Sequence, residues 1–220
     1  MDDPVLSAYG FDDKSCPVVP YGNGLINKTW KVDCNGNSYI LQRINDKVFT
    51  EPYKIASNIK QLSDHLKEIH PEYFFVVPVN TKKGKQLLMN TEGYYRLLPF
   101  VHNSYTYDVV NTPELAFEAA KQFGRFTKMF SEFDATPLQD TIPDFHNLLL
   151  RYQQFEHAIQ KGNISRIEEA KETVAFIREN KNILDVYQQL QMSLQFKKGL
   201  PTTTQRSAMC FSMAKAMVFV

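Results

Sequence analysis

The run Tyr21-Gly22-Asn23-Gly24-Leu25-Ile26-Asn27-Lys28-Thr29-Trp30 is the first place where this chain could do chemistry. A glycine turn between two strands lets backbone amides approach an anion such as a phosphate, because no Cβ blocks the way. The same letters also make an ordinary hairpin. It is not a Walker A loop, since no Gly-Lys-Ser/Thr and no helix follow. A second run, Tyr39-Ile40-Leu41-Gln42-Arg43-Ile44-Asn45, sets an uncharged amide beside a guanidinium on one strand. Gln42 can donate a hydrogen bond but brings no charge, and a plain edge strand fits the run equally well. A third run, Phe130-Ser131-Glu132-Phe133-Asp134-Ala135, reads as a helix end and a polar turn with no catalytic part. The five histidines (His65, His70, His102, His146, His157) show no metal-ligand spacing. No G-x-S-x-G elbow occurs.

These runs need elements to hold them. Residues 1 to about 18 read as a lead-in with one helical turn. Val18 to Arg43 reads as strand, turn, strand, with Pro20 to Gly24 as turn and Ile26 to Val32 alternating. Asn35-Gly36-Asn37 is a strong hairpin signal, and Ser38 to Ile44 is the returning strand. Phe49 to His70 reads as a helix, with Ile55, Ile59, Leu62 and Leu66 on one stripe and Pro71 just past its end. Strands follow at Phe74 to Val79, Lys85 to Asn90 and Tyr94 to Phe100. The sum is a five-stranded antiparallel sheet with one inserted helix. The rest is helical: Pro113 to Phe133, capped by Thr112; Asp144 to Lys161; Ser165 to Asn180; Ile183 to Phe196. The aromatic stripe of the first of these is core. The predicted fold is α+β and bilobal: a β-rich lobe over 1–100, a connector over 101–110, a helical lobe over 111–199, and a distinct tail over 200–220.

Composition narrows the function. The chain has 220 residues, 25 basic and 24 acidic, a net charge of +1. That balance lacks the strongly basic face of a nucleic-acid binder. It is 43% hydrophobic, enough for a sizeable core. No stretch reaches a membrane span, and the acidic N-terminus lacks a signal-peptide core. Cys16, Cys34 and Cys210 are few, odd in number and unpatterned, which predicts reduced thiols in a cytoplasmic protein; a monomer is expected.

The segments YGNGLINKTWKV (21–32), YILQRIN (39–45), YYRLLPFV (94–101) and FGRFTKMFSEFDATPLQDTIPDFHN (123–147) occur in this order. Together they resemble the aminoglycoside phosphotransferase/choline kinase superfamily, in its N-acetylhexosamine 1-kinase-like branch. The resemblance covers about residue 18 to Pro201. It implies a protein-kinase-like fold and an ATP-dependent transfer to a sugar or amino sugar, with Mg2+. It implies that Gly22, Asn23, Gly24, Asn27 and Thr29 belong to a phosphate-covering loop. It implies that Pro99, Phe100 and Val101 form a hinge whose backbone meets adenine. In kinases the third strand carries a phosphate-contacting lysine. The matching place here holds Gln42 flanked by Arg43, which leaves open how the phosphates are neutralised.

The family's chemistry also needs an H-x-D-x-x-x-x-N loop and a later metal-binding aspartate. They should begin just after Pro201. No H-x-D occurs in the sequence, so it offers no catalytic residue and no magnesium ligand. Residues 202–220 read TTTQRSAMCFSMAKAMVFV instead. Codons exist for this stretch whose neighbouring frame, with one C in front, reads HHDTKISNVLFDGKGNGVC, which restores the histidine, aspartate and asparagine in order. The expectation is a frameshifted, truncated and inactive kinase; the alternative is a pseudokinase-like binding or regulatory protein. A helical lobe cut at Phe196 would leave apolar positions such as Phe126, Phe130 and Phe155 less covered than in the intact fold.

Overall fold

The computed structural model describes residues 4–12, 15–22, 24–104 and 109–193. The chain divides into two compact units between Ile142 and Pro143. The first holds α1 (Pro4–Tyr9), β1 (Val18–Pro20), β2 (Lys28–Cys34), β3 (Asn37–Ile44), α2 (Pro52–Ile69), β4 (Leu88–Asn90), β5 (Gly93–Pro99) and α3 (Pro113–Met129). The second holds α4 (Leu148–Lys161), α5 (Ile164–Glu169), α6 (Lys171–Glu179) and α7 (Ile183–Met192). The architecture is α+β, and the sheet is five-stranded and antiparallel in the order β1-β2-β3-β5-β4.

The hairpin forms where its turn letters put it, with Asn35 and Gly36 both in left-handed backbone. It sets Trp30 opposite Leu41, and β5 sets Leu97 opposite the same residue. Strand alternation then sorts the side chains into two faces. One face carries Val32, Cys34, Leu41, Tyr95 and Leu97, which pack with Val5, Leu6 and Tyr9 of α1. The other carries Thr29, Lys31, Gln42, Ile44, Tyr94 and Arg96 in register. Its Ile44 packs with Ile55 and Ile59 of α2.

The predicted stripe of α2 is buried throughout. Its next turns, Leu62 and Leu66, meet Phe126 and Phe130. Phe126 and Phe130 are thus buried, with α2 of the same unit packed against them. Buried Asn58 holds the segment beyond α3, donating to the Gln139 carbonyl at 2.7 Å and accepting from its N–H at 3.0 Å. That satisfies a buried amide whose loss would leave two backbone groups unpaired.

Three expectations need correction. Phe74 to Val79 lies outside the ladder, although the Val79 N–H reaches the Leu97 carbonyl at 2.7 Å. Pro78 offers the ladder no N–H, and Phe75 and Val77 pack beside α2 instead. The helix expected over Ser165 to Asn180 breaks at Ala170, whose backbone (φ −96, ψ 9) ends α5 and opens α6. Cys16 and Cys34 form a disulfide, with Cα atoms 4.8 Å apart, where reduced thiols were expected. The register explains the meeting. Val18 pairs with Val32, so the residue two before the first faces the residue two after the second.

In the helical unit Asn147 and Asn163 cap their helices, accepting from the N–H of Leu150 and Arg166. Glu156 takes a forked contact from Arg178, at 3.2 Å and 2.8 Å, and a bond from the Tyr152 hydroxyl at 2.8 Å. The Arg178 guanidinium, then the Tyr152 hydroxyl, holds the Glu156 carboxyl below its ordinary value. Among the described residues no helix is long and apolar enough to cross a membrane.

Candidate functional site

The β1–β2 connection is an exposed loop with Leu25 fully open at 100%. Gly22 adopts φ +76, a backbone that side chains with a Cβ rarely take. The loop walls an open cavity of about 500 Å³, with Tyr21, Gly24, Asn27, Thr29 and Asn45 among its lining. Two bonds fix the loop's ends. The Tyr21 N–H donates to the Thr29 carbonyl at 3.0 Å. The Asn45 N–H donates to the Asn27 side-chain oxygen at 2.9 Å, which anchors the loop to the end of β3. Asn23 lies outside the described residues.

The pair Gln42 and Arg43 is split by the alternation of β3. Gln42 lies on the face with Thr29, and its amide nitrogen donates to the Thr29 hydroxyl at 3.3 Å. Arg43 lies on the other face, over Gly93, where an added Cβ would come within 3.1 Å of its Nε. The cation beside Gln42 is Arg96 of β5, buried to 6% exposure. Its Nε and Nη2 donate to the Gln42 amide oxygen at 2.9 Å and 2.6 Å. The sequence reading missed Arg96. The signal was available only as register, since Gln42 pairs with both Thr29 and Arg96.

Phe100 and Val101 follow the end of β5. The Phe100 ring meets Tyr21 edge to face, centroids 5.8 Å apart, and Lys31 sits 5.2 Å over it. The Phe100 N–H donates to the Ser38 carbonyl at 3.1 Å. The Val101 carbonyl accepts from the Ser104 hydroxyl at 2.6 Å. Pro99 pairs with Tyr39 at the end of β5. Lys31 also pairs with Asp33 at 3.1 Å. Bonds from Ser38 first, then Lys31, hold the Asp33 carboxyl below its ordinary value. So the structure brings together Gly22, Gly24, Asn27 and Thr29 around the loop cavity and sets Gln42 opposite Thr29; Phe100 lies beside Ser38 at the other end of β3, reached from the loop by the Tyr21 ring, and Arg43 lies on the opposite face.

No family model matches the sequence. Solved structures with some likeness include spectinomycin phosphotransferase APH(9)-Ia in complex with ADP and spectinomycin. It is 13% identical over 86% of this chain and 56% of its own, with a TM-score of 0.48. The AMP-bound complex of the same enzyme gives 15% identity over 86% and 57%, with a TM-score of 0.49. An aminoglycoside phosphotransferase from Alicyclobacillus acidocaldarius gives 13% identity over 79% and 52%, with a TM-score of 0.43. The chain thus spans between 52% and 57% of the length of these structures.

Proposed function

We propose that this chain carries the nucleotide-binding part of an ATP-dependent small-molecule phosphotransferase. The lineage is the aminoglycoside phosphotransferase/choline kinase superfamily, in its N-acetylhexosamine 1-kinase-like branch, with a sugar or amino sugar as acceptor. One observation carries the reading. A glycine loop walls an open cavity that Thr29 lines, Thr29 stands in register with Gln42 and the buried Arg96 guanidinium, and the Tyr21 ring of the same loop meets the Phe100 ring past the end of β5. That arrangement suits a nucleotide: amides of the loop for phosphate oxygens, and an aromatic and backbone edge for a base.

ATP would supply the transferable phosphoryl group. Gly22, Gly24 and Thr29 would hold its phosphates, with Pro99, Phe100 and Val101 beside the base. The residues fit magnesium poorly. Asp33, the carboxylate on this face, is engaged by Ser38 and Lys31. Among the described residues no cluster of three or more His, Cys, Asp or Glu could hold a metal. With no H-x-D in the sequence, we infer negligible phosphoryl transfer by this chain.

Thermal shift with ADP and with ATP plus magnesium tests both halves. The same chain with residues 202–220 replaced by the neighbouring-frame peptide is the comparison. Stabilisation by ADP is expected, with no transfer from labelled ATP to N-acetylhexosamine. Absence of any nucleotide shift would overturn the binding reading. EDTA-sensitive phosphorylation of the sugar by the unaltered chain would overturn the inactivity.

A further inference from the structure

Resting on that nucleotide reading, one arrangement says how a strand with a neutral glutamine meets a phosphate. Thr29, Gln42 and Arg96 sit directly opposite one another on β2, β3 and β5. A guanidinium has donors only, so the amide oxygen of Gln42 must be the atom that faces Arg96. The observed contacts agree: Nε and Nη2 both reach that oxygen. The amide is thereby oriented, and its NH2 end turns to Thr29. The Thr29 hydroxyl accepts there, which leaves its own proton for an acceptor elsewhere. Thr29 lines the cavity walled by the glycine loop.

We propose that Arg96, Gln42 and Thr29 form a donor relay that conveys a buried positive charge to a phosphate oxyanion beside the glycine loop. Each bond in such a chain polarises the next, and the bond at its root is charge-assisted. A lysine would put a mobile point charge at the phosphate. The relay puts a fixed hydroxyl proton there, backed by a guanidinium two strands away. Arg96 and Gln42 are positioning residues, and Thr29 is the group that touches the ligand. Arg43 has no place in the relay, because it lies on the opposite face.

The test is calorimetric titration of the full chain with two probes, ADP and adenosine, which differ only in the phosphates. For Arg96→Met, ADP binding should weaken about tenfold, the scale of one charge-assisted hydrogen bond, while adenosine binding stays unchanged. Arg96→Lys should recover part of the loss. Because Arg96 is buried, Arg96→Met can fail to fold, so Thr29→Val and Gln42→Glu make the same comparison. The glutamate still pairs with Arg96 but cannot donate to Thr29, so it should lose ADP selectively with the fold intact. Equal losses for ADP and adenosine would mark a merely structural role and overturn the relay. Unchanged ADP binding in Thr29→Val and Gln42→Glu would overturn it too. A wild-type chain that binds neither probe would remove the nucleotide reading itself, a result distinguishable from either of these.

Discussion

The sheet unit and the helical unit carry similar apolar periodicity and use it differently. In the first, three clusters bury residues from both faces of the sheet and from α1, α2 and α3. In α4–α7 the buried residue is Leu184, while Ile164, Phe176, Ile183, Val186, Leu190 and Met192 are exposed. A helical stripe of apolar residues needs a facing surface before it stabilises anything. α2 has the sheet on one turn and α3 on the next. In the helical unit, polar contacts such as the Tyr152–Glu156–Arg178 cluster do more of the specifying.

That contrast can be broken by substitution. Leu62 is 0% exposed and Leu190 is 48% exposed. Leu62→Ala should cost about 3 kcal/mol in denaturant unfolding, by lost transfer energy and a cavity. Leu190→Ala should cost under about 1 kcal/mol, because a half-exposed side chain leaves no cavity. Equal costs would mean the helical unit is covered as well as the sheet unit is.

The disulfide sharpens the contrast on the sheet side. It closes an 18-residue separation between Cys16 and Cys34. Reduction should destabilise the sheet unit by about 3 kcal/mol on the loop-entropy scale. It should speed amide exchange in β1 and leave exchange in α4–α7 unchanged. Thiol titration of the denatured, unreduced chain should find Cys210 alone reactive. Three reactive thiols would remove the tie.

The smallest effect belongs to Glu156. Its folded-state pKa is lowered, so its contribution is fully present above the ordinary carboxylate value of 4.5 and is lost as pH falls through the lower folded value. Amide exchange in α4 and α6 should therefore rise in that acid window. Glu156→Gln should remove the pH dependence. An unchanged profile in the variant would show that the cluster contributes nothing measurable.

Local features were legible because their causes are local. Asn35-Gly36 makes a tight turn whatever surrounds it, and the α2 stripe and the Thr112 cap follow from neighbouring letters. Phe74 to Val79 has strand letters, yet Pro78 and packing beside α2 keep it out of the ladder. The glycine loop, Thr29 and Gln42 were visible as residues. Their common face with Arg96 was not.

By itself, then, the sequence determined the turns, the helical stripes and the absence of an H-x-D motif, all of which depend on spacing along the chain. Only tertiary structure decided that Cys16 meets Cys34, that Phe126 and Phe130 are covered by α2, and that Arg96 rather than Arg43 backs Gln42. The first and third depend on register between paired strands, and the second on two helices far apart in sequence packing together. A one-residue shift in that register would exchange the two faces of the sheet and every partner on them.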